Sequence, residues 1–135
     1  MTTTSVGEDI ALIQNLTGHY ALAIDENRWE DWLQFWVDEE RCFENPAGQF
    51  IGKEGFDRLL PILQSRTAGK RHFVTNSAIS VNGAHATQTC YTLIMPKSGP
   101  ANVVGTAVYR DDLVKIDGTW RFKKRKIEFD PVTPV

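Results

Sequence analysis

Two segments far apart in the chain carry the residue types from which a proton-abstracting site can be built: Tyr20-Ala21-Leu22-Ala23-Ile24-Asp25 and Arg71-His72-Phe73-Val74-Thr75-Asn76. A carboxylate that accepts a hydrogen bond from one imidazole nitrogen leaves the other nitrogen free to take a proton near neutral pH. Asp25 with His72 therefore makes a candidate general base. Each residue also has an ordinary structural reading. His72 lies between Lys70-Arg71 and Phe73-Val74, where solvent meets core, and a lone histidine there can serve only as a hydrogen-bonding brace. Asp25, next to Glu26, is expected near a helix C-terminus, where a carboxylate is ordinarily solvated and opposes the helix dipole, so a retained charge needs a partner. Tyr20 and Asp25 sit about 140° apart around an ideal helix, and both face one cavity only if it wraps the helix end.

Periodicity locates the helices and strands around these groups. Between Glu8 and Asn27, Ile13, Leu16, Tyr20 and Ile24 recur at helical spacing, and Trp29, Trp32, Leu33 and Trp36 continue the pattern in a second helix. His19 precedes Tyr20 by about 100° of helix, so one of the two faces away from the core. Arg41 to Glu44 reads as a short strand and Asn45-Pro46-Ala47-Gly48 as a turn. Phe56, Leu59, Leu60 and Leu63 predict a third helix over Gly52 to Arg66, kinked or broken at Pro61, which lacks a backbone donor. Beyond Gly69 the pattern is extended, with turns at Asn82-Gly83, Pro96 to Pro100 and Asp117-Gly118. Asn-Gly and Asp-Gly favour tight hairpins, so four strands are predicted at about 71–81, 84–95, 102–116 and 119–129. Helices first and a meander afterwards specify an α+β domain over residues 8–130, with 1–7 and 131–135 as flexible termini.

The last strand poses a parity problem. Trp120 and Phe122 share one face, while Ile127 and Phe129 share the other, so a regular strand with one buried face cannot cover all four. A bulge, burial on both faces or a functional exception is required. Arg125 has the parity of Ile127, which makes it a candidate charge on the apolar side. The ordinary reading is that Lys123-Lys124-Arg125-Lys126 forms a solvated edge that resists aggregation. The tryptophans at helical spacing read as core and oligomer contacts rather than a ligand cage.

The chain has 135 residues, with 15 Lys and Arg against 17 Asp and Glu, a formal charge of −2. One core suffices for this length. So small a charge supplies no field for nucleic acid or an anionic membrane surface. Cys42 and Cys90 lack the spacing of a redox or metal knuckle and read as reduced thiols. Three scattered histidines give no ligand pair at helical or strand spacing, so no metal site is expected. His85, just past Asn82-Gly83, is expected at the surface. With no signal peptide and no apolar run of about 18 residues, the reading is cytoplasmic.

Two helices, a short strand, a third helix and a long meander, with Tyr20 and Asp25 on the first helix, His72 opening a strand, and Tyr109-Arg110-Asp111-Asp112-Leu113 and Asp117-Gly118-Thr119-Trp120-Arg121 closing the chain, resemble the nuclear transport factor 2-like superfamily, in particular its SnoaL-like branch. The resemblance spans residues 8–130. It implies a cone-shaped, curved antiparallel or mixed sheet, a partial barrel with about three N-terminal helices packed on its concave side, whose apolar interior takes a small, largely apolar molecule. Scytalone dehydratase, bile-acid dehydratase and lindane dehydrochlorinase are similar in pairing a helix-borne aspartate with a strand-borne histidine. The resemblance thus implies His72 as base, Asp25 as its partner and Tyr20 as hydrogen-bond donor in a cofactor-free dehydratase, isomerase or cyclase. Asn45, Asn76, Tyr91, Tyr109 and Arg125 are the expected substrate contacts, with Tyr91 and Tyr109 facing either the interior or the outside of the cone. Ketosteroid isomerase is a poorer match: its base is the aspartate of a Glu-Asp-Pro turn, where this chain has Glu44-Asn45-Pro46, and an amide takes no proton. Asp25 to Leu33 and Tyr109 to Leu113 also resemble the β subunits of ring-hydroxylating dioxygenases, which implies an alternative role as a non-catalytic binding or assembly module. By analogy with these folds, a homodimer or homotrimer is expected.

Overall fold

The first helix, α1 (Val6–Asp25), begins two residues ahead of its expected start because Ser5 caps it, its hydroxyl accepting from the Glu8 N–H at 3.1 Å. In the computed structural model, which describes residues 3–132, α1 is followed by α2 (Trp29–Gln34), the strands β1 (Cys42–Asn45) and β2 (Gly48–Ile51), α3 (Gly52–Thr67), and then β3 (Lys70–Asn82), β4 (His85–Pro96), β5 (Gly105–Ile116) and β6 (Thr119–Phe129). The strands form one curved, unclosed sheet in the order β2-β1-β6-β5-β4-β3. Only β1 and β6 run parallel; the other pairings are antiparallel. The three helices pack on this sheet, an α+β architecture. No helix among the described residues is long and apolar enough to cross a membrane.

Three elements depart from the sequence reading. β2 was not expected: its four residues are mostly exposed and carry no alternation that periodicity could detect. α2 stops at Gln34, and Trp36 instead makes an isolated bridge to Phe122. α3 runs unbroken through Pro61. Pro61 and the residue one turn before it, Asp57, are both exposed, so water can take the place of the missing N–H at that carbonyl.

α1 ends in a tight cap that fixes its last carboxylate. Asn27 adopts a left-handed φ of 57°, its N–H donates to the Ile24 carbonyl at 3.1 Å, and the Arg28 N–H donates to Ala23 at 2.8 Å. These are the two bonds of a Schellman cap, with asparagine where glycine is commonest. At the other end, Asp9 accepts from the Trp120 indole and from Lys115, both at 3.0 Å, and from the Thr4 hydroxyl. The helix is thus clamped to the sheet at its N-terminal end.

The core between helices and sheet is aromatic. Trp32, Trp36, Phe56 and Phe122 are all fully buried, and Trp36 packs edge-on to Phe56 with ring centroids 4.9 Å apart. The tryptophans are therefore packing residues, as their spacing implied. The parity problem of β6 is resolved by a bulge: Asp112 pairs with Lys124 and Leu113 with Phe122, leaving Lys123 without an opposite number. Trp120, Phe122, Arg125 and Ile127 consequently all turn inward, and Phe129 falls at the exposed strand end.

This overturns the reading of Lys123 to Lys126 as a solvated edge. β6 lies inside the sheet between β1 and β5, and Arg125 is 0% exposed. Its guanidinium makes a two-pronged pair with Asp111, Nε to Oδ1 at 2.7 Å and Nη2 to Oδ2 at 2.8 Å. Asp111 also accepts from Gln88 Nε2 at 2.9 Å, and Gln88 Nε2 lies 3.0 Å from the Thr17 hydroxyl on α1. The Arg125 carbon lies 4.1 to 4.6 Å from the ring centroids of Tyr109, Tyr20 and Phe122.

Removing one partner of such a pair strands the other charge in the core. Asp111→Ala is expected to cost about 3–5 kcal/mol in denaturant unfolding, whereas Asp111→Leu combined with Arg125→Met recovers most of that loss. The Asp9 clamp predicts a pH effect. The Thr4 hydroxyl, then the Trp120 indole and Lys115, hold Asp9 below the ordinary carboxylate range despite partial desolvation. Its contribution is therefore present above the unfolded value of about 3.9 and is lost as pH falls through the lower folded value. Stability measured from pH 5 downward is expected to fall less steeply in Asp9→Asn than in wild type.

Candidate active site

Asp25 and His72 meet. The last residue of α1 reaches the start of the edge strand β3, where the Asp25 carboxylate accepts three contacts from one residue: the His72 main-chain N–H lies 3.1 Å from Oδ1 and 3.0 Å from Oδ2, and ring Nδ1 lies 2.7 Å from Oδ1. Both side chains are more than nine-tenths buried. A carboxylate can only accept, so in neutral His72 the Nδ1 atom carries the proton and Nε2 keeps its lone pair. Lys97, in the loop after β4, braces the same corner: its N–H donates to the Gly69 carbonyl at 2.8 Å and its ammonium donates to the Asp25 main-chain oxygen. A cation at the end of α1 also complements the helix dipole that Asp25 opposes.

His72 forms part of the wall of a cavity of about 440 Å³ at the open end of the curved sheet, a size suited to a small ligand. α1 contributes Tyr20 and Ile24; β1 contributes Phe43 and Asn45; α3 contributes Ile62, Leu63, Arg66 and Thr67. The remaining strands contribute Lys70, His72, Ile94, Tyr109, Ile127 and Phe129. The wall is thus mainly apolar, with polar groups placed singly. Another hollow of about 560 Å³, lined by Cys42, Ser80, His85, Thr87, Asp112 and Lys123 among others, lies away from these groups and is more open.

Tyr20 is 2% exposed and its hydroxyl has no partner among the described residues. Burial, opposed only in part by nearby Arg125, pushes its pKa far above the ordinary phenol value, so Tyr20 remains a neutral donor. Burial raises Tyr109 in the same way. The Cys90 thiol is pushed up to about 11 by desolvation and is inert near neutrality. His19 and His85 are exposed, and among the described residues no three His, Cys, Asp or Glu side chains converge as metal ligands do.

The other expected substrate contacts divide. Asn45 and Tyr109 line the cavity, Asn45 with its side-chain oxygen committed to the Ala47 N–H at 2.9 Å. Tyr91 does not: Gln88, Cys90 and Thr92 of β4 face inward, so Tyr91 points outward and is 47% exposed. Asn76 lies in a bulge, where Asn76 and Ser77 together oppose Cys90, and has the left-handed φ of 56° that asparagine tolerates. It is exposed, while Ser77 donates inward to Gln88 at 2.6 Å. Arg125 lies behind Tyr20 and Tyr109 rather than on the wall. Ile62 and Arg66, on the last turns of α3, and Lys97 were missed; only a third helix held over the sheet opening would have indicated the first two.

The model of the SnoaL-like domain family matches residues 6–126. Among solved structures, a protein of unknown function with a cystatin-like fold from Nostoc punctiforme superposes with a TM-score of 0.86 at 27% identity, over 99% of this chain and 98% of that one. A proposed scytalone dehydratase from Novosphingobium aromaticivorans gives 0.79 at 22% identity, covering 94% and 87%. The hexachlorocyclohexane dehydrochlorinase LinA-type3 from Novosphingobium barchaimii gives 0.78 at 20% identity, covering 95% and 90%. The latter two likenesses concern the fold alone. Comparison with curated proteins gives no match.

The hydrogen-bond geometry fixes a tautomer that can be measured. Long-range proton–nitrogen spectra of neutral His72 are expected to show the proton on Nδ1. Asp25→Asn, whose amide can donate as well as accept, is expected to return a mixture of tautomers.

Proposed function

Since the chain belongs to the SnoaL-like domain family, we propose that it is a small, cofactor-independent enzyme that removes a carbon-bound proton from a small, largely apolar substrate. The observation that carries this reading is the 2.7 Å contact between His72 Nδ1 and Asp25 Oδ1, with His72 among the residues lining the cavity. In this reading Nε2 of His72 takes the proton. Asp25 holds the reactive tautomer and stabilises the imidazolium that forms, and the Tyr20 hydroxyl donates to the oxygen on which negative charge grows. The strong upward shift of Tyr20 suits a donor and not a second base. Asn45 and Tyr109 complete the substrate contacts.

The reaction completed after proton removal depends on the neighbouring carbon. A leaving hydroxyl gives elimination of water, a conjugated carbonyl gives isomerisation, and a second electrophile in the same molecule gives ring closure. Two structures of similar fold carry names of elimination enzymes, a dehydratase and a dehydrochlorinase, which favours the first outcome.

Proton removal can be tested without the natural substrate. Exchange of the acidic C–H protons of 2-tetralone in deuterated water, followed by NMR, is expected to be accelerated by the wild-type protein. His72→Ala and Asp25→Asn, checked for folding by circular dichroism, are expected to lose about 100-fold or more of that acceleration, the lower end of what general-base catalysis contributes. Variants that exchange at the wild-type rate would refute the assignment of the base.

A further inference from the structure

The cavity wall has a charge asymmetry that proton abstraction does not require. Its lining includes two cations, Arg66 at the end of α3 and Lys70 at the start of β3, and no carboxylate. Asp25, directly behind the wall, is already engaged by His72. Neither cation forms a salt bridge with any described residue. Lys70 donates to the Arg66 carbonyl at 2.8 Å, so it meets the partial negative charge of the α3 C-terminus but no full negative charge. The protein as a whole carries a formal charge of −2, so this local excess runs against the overall balance. Exposed apolar groups stand beside it: Phe129 is 51% and Ile62 39% exposed, both on the same wall.

From this arrangement we propose that the substrate is an apolar molecule ending in an anionic group, its body in the cavity and its charge between Arg66 and Lys70 at the mouth. Arg66 offers a planar fork suited to a carboxylate or phosphate, and Lys70 a point charge. A wholly neutral substrate would leave these two cations beside an apolar wall with only solvent and the C-terminus of α3 to offset them. The anion is either a carboxylate of the substrate itself or the phosphates of a carrier to which the substrate is thioester-linked. This rests on the reading of the cavity as a substrate site, but not on His72 as base.

Two fluorescent probes with the same aromatic body separate charge from apolar fit: 1-anilinonaphthalene-8-sulfonate and uncharged N-phenyl-1-naphthylamine. Titrated into the wild-type protein, the sulfonate is expected to bind three- to tenfold more tightly, the scale of two partly exposed charge pairs. The preference is expected to vanish in Arg66→Gln/Lys70→Gln, to reverse in Arg66→Glu/Lys70→Glu, and to shrink in about 1 M salt, where the Debye length is about 3 Å. Equal binding of the two probes, or a preference that survives the double substitution, would overturn the anionic site while leaving the cavity. Failure of both probes to bind would remove the cavity reading as well. Displacement of the sulfonate then identifies the source: decanoate outcompeting decanol assigns a carboxylate, decanoyl-coenzyme A alone outcompeting decanol assigns carrier phosphates, and no advantage for either overturns the proposal. The same titrations on Asp25→Asn separate this result from the base, because an intact preference in a variant that has lost proton exchange supports both readings.

Discussion

A single carboxylate ties the helical layer to the open edge of the sheet. Asp25 ends α1, and His72 lies near the start of β3, an edge strand with a neighbour on one side only. The His72 main-chain N–H would have no ladder partner on that open side; it is satisfied by the Asp25 carboxylate, which also holds the ring. One group therefore meets three demands. It neutralises the desolvation of its own charge, it ends the sheet without an exposed donor, and it sets which imidazole nitrogen stays basic. Lys97 adds a cation at the same corner, offsetting the unfavourable placement of an acid at a helix C-terminus.

A second polar system lies deeper and has a different role. Arg125, Asp111, Gln88, Thr17 and Ser77 join β6, β5, β4, α1 and β3 through buried hydrogen bonds. Such a network contributes little net stability compared with an apolar core, but a misplaced register would leave a full charge unpaired. The bulge at Lys123 is what admits it. Without that extra residue Arg125 would point away from Asp111, and the aromatic residues on the two halves of β6 could not share one core. Its guanidinium, stacked on Tyr20 and Tyr109, then holds two cavity-lining phenols in place from behind.

The parts of this architecture legible in sequence are those with a local signature. Helical spacing of Ile13, Tyr20 and Ile24 located α1, and Asn82-Gly83 and Asp117-Gly118 located hairpins that the structure contains. The conflict of parity between Trp120-Phe122 and Ile127-Phe129 announced an irregularity in β6, yet its resolution depended on β6 lying inside the sheet. That placement comes from the parallel pairing with β1, a contact between residues far apart in the chain. The same limit explains Tyr91 and Asn76: weak alternation in β4 concealed which face was buried, and the β3 bulge reset the parity at Asn76. The meeting of Asp25 and His72 was readable as a chemical possibility, while its geometry depended on the Asn27 cap, which fixes where α1 stops.

The polar groups in and behind the cavity wall also bear on why it does not collapse. A hollow bounded only by aliphatic side chains would gain by collapsing, because each lost contact across a void has a cost. Here the hydroxyl of Tyr20, a lining residue, and Nη1 of Arg125, behind it, are both buried with no hydrogen-bond partner among the described residues. Collapse onto aliphatic neighbours would bring those sealed donors no acceptor, so the cost of about 1–3 kcal/mol that each carries unpaired would not be relieved by it. Arg66 and Lys70 at the mouth similarly resist being drawn inward. The wall thus sets Tyr20 and Tyr109 among apolar side chains and carries Arg66 and Lys70 as its two cations, an uneven distribution that would orient a bound molecule before any proton moved.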